Sequence, residues 1–256
     1  MRYWMILTAL LAALPTVTTA GDAASLHFIG FSEDNKYLAF EQYGIHDGSG
    51  LSYVELFVID VEKNEYALKP SKLEGEPEAS QNADEPWLFT QLRDTNRASI
   101  QSKLKTFGLL TATTGQPLIT HPLTDLAADP VKVRFASRLP LSGTVSERYE
   151  ITLKMHDETG KDDCKDLPVK RFSLHLRNLD GGESVTLQND KSLPPARGCV
   201  QQYRIQDVYL HKGKLAVFLN LFTPGFEGEN LRYLVVTGTL PVIVPTPSKS
   251  PDRTAP

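Results

Sequence analysis

The sequence predicts a mainly β fold of antiparallel meanders with one helical insertion around residues 84–108. Three observations predict it. Short apolar or alternating runs rich in Val, Ile, Leu, Phe and Tyr recur along the chain, separated by polar turn clusters such as SEDNK and EKNEY. The run Leu56–Ile59 is apolar at every position, as in a strand buried on both faces. A single stretch places apolar residues at helical spacing: Leu88, Leu92, Ile100, Leu104 and Phe107.

The chain opens MRYWMILTALLAALPTVTTA. A basic Arg2, an apolar run from Trp4 to Leu14, Pro15 and small residues ending at Ala20 are the order of a secretory signal. The run is too short to span a bilayer, which takes about 20 residues. Residues 1–20 are therefore expected to leave as a signal peptide, and no later stretch is long enough for a transmembrane segment. The first cysteine is Cys164, so no lipid-anchor cysteine follows the leader. A secreted or periplasmic location is expected.

Strands are expected at Ser25–Phe31, Tyr37–Tyr43 and Tyr53–Val61, with residues 70–84 an exposed acidic connector. Asp84 can cap the helical region, Pro86 suits its first turn, Lys103 and Lys105 favour its carbonyl end, and Gly108 can stop it. Asp94-Thr95-Asn96 is a candidate break. Further strands are expected at Leu109–Thr113, Val131–Ser137, Tyr149–Met155, Lys170–Arg177, Ser184–Leu187, Val200–Leu210, Lys214–Phe222 and Leu231–Thr237. Residues 21–240 are long enough for one mainly β domain. Residues 241–256, rich in Pro, Ser and Thr, are expected to be a disordered tail.

The segment Leu38–Ile59 slides without a gap onto Leu215–Val236, matching Leu38 with Leu215, Ala39 with Ala216, Gly48 with Gly225 and Val58 with Val235. Both copies read as a strand, a glycine-bearing loop and an apolar strand. His46 and Asp47 become Thr223 and Pro224 in the second copy, so the loop YGIHDGSGL reads first as a hairpin connection, its glycine supplying backbone freedom. The echoed hairpins are expected to lie side by side and bring the chain ends together.

FSEDNKYLAF, residues 31–40, is similar to the strand–turn–strand pattern FSPDGKYLAF of TolB-like and WD40-like β-propeller blades, with Glu33 and Asn35 in place of its proline and glycine. The longer pattern GFSEDNKYLAFEQYGIHDGSG…ELFVIDV, with the leader, resembles a family of predicted secreted bacterial proteins classed as a domain of unknown function. That resemblance implies export and brings no functional residues. Closure of the sheets as a propeller or stacking as a sandwich both remain open to the sequence.

Lys and Arg number 27 against 31 Asp and Glu, a net charge of −4. Nucleic-acid binding, which needs clustered basic residues, is not expected. Cys164 and Cys199 form an even pair without C-x-x-C spacing, which reads as a disulfide in an oxidising compartment. No asparagine lies in N-x-[ST].

HDGSGL lacks the G-x-S-x-G spacing of a serine-hydrolase elbow, and zincin and phosphate-loop motifs are absent. No cofactor is implied. His27 and His175 sit among apolar strand neighbours and read as sheet histidines. Glu41, His46 and Asp47 are candidates for acid–base catalysis if they converge. Asp157, Glu158, Asp162 and Asp163 in the acidic loop MHDETGKDDCKD are candidate calcium ligands, carboxylates being of the right type. Tyr53, Phe222 and Phe226 are candidate contact residues. By elimination, the first expectation is a non-enzymatic envelope protein that binds a protein or small-molecule partner. A hydrolase of envelope or polymeric substrates and a calcium-stabilised structural module are the alternatives.

Overall fold

The computed structural model describes residues 21–75, 86–137, 147–160, 162–226 and 228–241. The expected signal peptide and almost all of the tail lie outside these residues, as do the capping Asp84 and residues 76–84 of the connector. Among the described residues three antiparallel sheets form. The first runs β1 (Ser25–Phe31), β2 (Tyr37–Ile45), β3 (Ser52–Asp60) and β4 (Glu65–Tyr66), with β5 (Ser71–Glu74) also paired to β3. Two helices follow, α1 (Pro86–Ser99) and α2 (Gln101–Thr106). The second sheet has the order β10 (Ser184–Asn189), β9 (Pro168–Asn178), β8 (Arg148–Thr159), β7 (Lys132–Ala136). The third has the order β13 (Glu229–Thr239), β12 (Lys214–Pro224), β11 (Gln202–His211), β6 (Gln116–Thr120). Because β6 precedes the second sheet and its partners follow it, the second sheet is built between two visits of the chain to the third.

The third sheet is the middle layer. Along β12, Leu215, Val217, Leu219 and Leu221 point into the core shared with the second sheet, while Ala216 and Phe218 point to the first. All six are buried, as the period-2 alternation of a strand covered on both faces requires. Leu56–Ile59 of β3 is used the same way. Phe57 and Ile59 meet the third sheet, and Leu56 and Val58 meet Ile100 and Leu104 of the helical layer.

The β1–β2 turn shows why asparagine suffices where the blade pattern has glycine. Asn35 takes φ 62°, a left-handed geometry that asparagine tolerates, while Ser32 Oγ donates to Asp34 and accepts from the Tyr37 amide. The His46 loop joins β2 to β3 in unbroken register from Tyr37↔Asp60 to Ile45↔Ser52, with Gly48 at φ 84° and Gly50 at φ 67°. It is a hairpin connection. The echoed glycine has a different reason. Gly225 has no positive φ, but a Cβ there would lie 2.5 Å from Asn230 Oδ1 and Gly228 O. The echoed hairpins pack face to face through Phe40, Phe57 and Phe218, and Ala23 bridges to Leu231, joining the start of the described chain to β13.

Several expectations need correction. Leu109–Thr113 forms no strand, only an isolated bridge from Thr113 to Phe31, and the strand lies later, at β6. Residues 71–74 of the expected connector pair with β3 as β5. The helical region breaks at Ile100 rather than at residues 94–96. Asn96 is buried instead, its side chain accepting from Ser71 Oγ and donating to Ser71 O. Gly108 does end the region, at φ 65°.

Candidate functional site

His46, the only imidazole in the β2–β3 loop, is drawn inward by a carboxylate that spacing gives no reason to pair with it. Its Nδ1 lies 3.0 Å from Asp22 Oδ2, and its ring stacks on Tyr53 with centroids 4.2 Å apart. Tyr53 OH donates to Asp22 Oδ1 at 3.0 Å, and Arg232 donates to both Asp22 oxygens, at 3.0 and 2.5 Å. Asp22 is thus saturated. Burial pushes the Tyr53 hydroxyl pKa up strongly. Main-chain bonds from Ala24 N to Leu231 O and from Leu231 N to Asp22 O complete a clasp between the start of the described chain and β13. Tyr53 is enclosed in this clasp and presents no ring to solvent. Asp47 lies in the turn beside it.

Glu41 does not join His46. It lies on the opposite face of the first sheet from Tyr53, facing α1, where Arg93 Nε donates to Oε2 at 2.8 Å. Arg97 Nε donates to Oε1 at 2.7 Å and its Nη2 to Oε2 at 2.6 Å. The carboxylate is inaccessible. Positions 93, 96, 97 and 100 fall on one helical face, so the side of α1 on the sheet is largely polar. His27, opposite Glu41 in the register, has its pKa lowered by partial burial and by the guanidinium groups of Arg93 and Arg97.

The acidic candidates are divided among separate tasks. Asp157 pairs with Lys170 at 2.5 Å, while Glu158 accepts from the Leu193 amide at 3.1 Å. Asp162 and Asp163 begin a 3-10 turn that ends at Cys164. Among the described residues no group of three or more His, Cys, Asp or Glu side chains could hold a metal ion. Cys164 is bonded to Cys199, with Cα atoms 5.3 Å apart, which secures the loop carrying Arg197. His156 and His175 each place Nε2 3.2 Å from Ser173 Oγ on the outer face of the second sheet; among the described residues no carboxylate bonds to either ring. Phe222 is half-buried on β12, and Phe226 is 82% exposed at the β12–β13 connection.

A cleft that no sequence motif marks lies where the edge strands of all three sheets meet. It holds about 240 Å³ and is walled by Phe40, Ile59, Leu234, Val236, Pro194 and Ala196, with half-exposed Tyr66 among them. A polar chain runs along it. Thr237 N donates to Asn64 Oδ1, Asn64 Nδ2 to Gln188 Oε1, and Gln188 Nε2 to Asp190 Oδ1. Asp190 is in turn held by Arg197 at 2.5 and 3.2 Å. Asn64 reaches this position from a turn with φ 55°. Arg197 lies over the Phe172 ring; burial opposes its charge, yet its bonds to Asp190 leave its pKa raised.

The free edge of β13 completes the cleft. The amides of Leu231, Tyr233 and Thr237 point off this edge and are met by Asp22 O, Gln42 Oε1 and Asn64 Oδ1. Alternate residues of a strand aim their N–H groups the same way, so the Val235 amide points off the edge too. Val235 lines the cleft, and among the described residues its amide has no acceptor. Capping an edge with side chains guards it against strand pairing. The gap left at Val235 coincides with the apolar walls.

A family described as "Predicted secreted protein (DUF2259)" matches residues 39–239, and the chain belongs to it. A search of curated proteins found no match. No helix of the described residues is long and apolar enough to cross a membrane.

Proposed function

We propose that this member of a family of predicted secreted proteins is a non-enzymatic binding protein of the periplasm or cell exterior. Its ligand is a small, mostly apolar molecule carrying a hydrogen-bond acceptor, held in the cleft where the three sheets meet. The single observation that carries this reading is the uncapped amide of Val235, a residue that lines a largely apolar enclosure together with Tyr66 and Arg197. Pockets for small molecules pair apolar walls with a few placed polar groups, and an edge amide and a guanidinium are donors suited to a carboxylate, sulfonate or carbonyl. The hydrolase reading has less support, because Glu41 is held by two arginines and His46 by Asp22.

The test uses 8-anilinonaphthalene-1-sulfonate, an aromatic anion whose fluorescence rises on burial. Saturable one-to-one binding is expected. Ala196→Trp, at an exposed position on the wall, should abolish it by filling the cleft, and Tyr66→Ala should weaken it. Unchanged binding in Ala196→Trp would sink the assignment.

A further inference from the structure

Several strand edges in this fold are guarded. On β13 the amides of Leu231, Tyr233 and Thr237 are capped, β5 carries Lys72 and Glu74, β6 carries Pro117, and β7 carries Lys132 and Arg134. Charges and proline on an edge oppose the addition of another strand. β10 ends the second sheet and has neither, since Ser184–Asn189 reads SVTLQN.

The two ends of β10 fix which main-chain groups it leaves unpaired. Asn178 N donates to Glu183 O and Asp190 N donates to Phe172 O, so Glu183 and Asp190 face β9. Counting inward by alternation, Ser184, Thr186 and Asn189 aim their N–H and C=O groups off the sheet. The register shift between Thr186 and Gln188 absorbs the extra residue, Leu187. Among the described residues nothing caps the outward groups. Ser184, Val185, Thr186 and Asn189 are also exposed, Val185 at 40%. An opening of about 570 Å³ runs beside the edge, bounded by β10, by residues 61–65 and by residues 237–239 of β13, which leaves room for the side chains of an added strand. Glu183 just before the strand and Lys191 just after it are exposed, opposite in charge and without an ion pair among the described residues.

We propose that the β10 edge pairs with the β10 edge of a second copy of this chain, antiparallel across a two-fold axis, so that two four-stranded sheets become one continuous sheet. The occupant is a second copy because the strand is complementary to itself. Turned antiparallel, the outward groups of one edge meet the same set on the other, and the acidic end at Glu183 comes beside the basic end at Lys191. An edge of six residues is small against the about 1,200 Å² of a stable interface, so the pair is reversible and depends on concentration. The proposal does not rest on ligand binding in the cleft at Val235.

The test is sedimentation velocity of the exported protein from about 5 to about 500 μM, with amide hydrogen exchange at both ends of that range. A monomer–dimer equilibrium is expected, and the Ser184, Thr186 and Asn189 amides should exchange more slowly at the higher concentration. Val185→Lys, at an exposed position, should weaken the dimer at least about tenfold with unchanged melting. Glu183→Lys and Lys191→Glu should each weaken it, and the two reversals together should restore it, as pairing of opposite ends requires. A chain that stays monomeric at about 500 μM overturns the proposal and leaves the edge to a different extended segment. A dimer that Val185→Lys leaves intact, or that the double reversal fails to restore, overturns it as well.

Discussion

Replacing Glu41 by glutamine tests whether a buried carboxylate fastens the helical layer to the first sheet. The carboxylate is fully enclosed, whereas the Arg93 and Arg97 side chains are 15% and 32% exposed. It accepts three charge-assisted bonds, from Arg93 Nε, Arg97 Nε and Arg97 Nη2. Glutamine keeps the shape but turns one acceptor oxygen into a donor aimed at a guanidinium. Removing one partner of a buried ion pair costs about 3–5 kcal/mol. Both arginines can turn partly to water here, which lowers the expected loss to about 2–4 kcal/mol.

The loss should be local first, since among the described side chains α1 meets the sheet mainly through Phe89, Arg93, Asn96 and Arg97. In a chain prepared without residues 1–20, Trp87 on α1 is the single tryptophan. Urea unfolding followed by tryptophan fluorescence and by far-ultraviolet circular dichroism separates the two events. In Glu41→Gln the fluorescence transition should come at lower urea than the dichroism transition. Coincident transitions with a change under about 0.5 kcal/mol, the size of an ordinary surface substitution, would refute the clamp.

Asp207→Asn on β11 should stabilise the protein by about 1–2 kcal/mol at pH 7, because it removes a buried charge that no lysine or arginine pairs with among the described residues. Burial raises the Asp207 pKa above its ordinary 3.8, so its folded-state contribution is fully present below pH 3.8 and lost as pH rises through the folded value. The advantage of the variant should therefore vanish below pH 3.8, and an equal advantage on both sides of that pH in thermal melts would show that the buried charge is not its cause. Opening the Cys164–Cys199 bond with a reductant should cost roughly 3–4 kcal/mol by loop-closure entropy and weaken probe binding beside Arg197; a melt and titration unchanged by reductant would count against both. Gly30→Ala should destabilise by more than about 2 kcal/mol in chemical denaturation, since Gly30 has φ 129° and a Cβ would sit 2.4 Å from the Thr113 carbonyl carbon. Phe226→Ser should leave stability within about 0.5 kcal/mol, and a larger drop would show that the exposed ring packs against something.

Much of the fold is legible because strand periodicity and turn chemistry are local. The alternation around Leu215–Leu221, the all-apolar Leu56–Ile59, the Asn35 turn and the cysteine pair are each visible within a few residues or from composition. The short strands β4 and β5 are not, because Glu65–Tyr66 and Ser71–Glu74 carry little apolar pattern and pair with β3 at its edge. The break at Ile100 escapes local pattern because residues 94–96 look weaker as a helix, while tertiary bonds from Ser71 to Asn96 hold them in it.

The sites are much less legible. His46 stands out as an ionisable residue in a loop, but its partner Asp22 lies 24 residues before it and Arg232 near the far end of the described chain. Glu41 reads as a candidate acid or base, and its two arginines show no relation to it until the helix is placed on the sheet. The cleft at Val235 depends on a main-chain amide, which no side-chain motif can announce.

Ligand binding in the cleft where the three sheet edges meet can be read at the amide itself. Two-dimensional NMR follows the amide chemical shifts during titration with 8-anilinonaphthalene-1-sulfonate. A binding cleft gives saturable shifts led by the Val235 amide, together with Tyr66 and Ala196, and loses them in Ala196→Trp. Shifts confined to other surfaces, with Val235 unmoved at saturation, would contradict it.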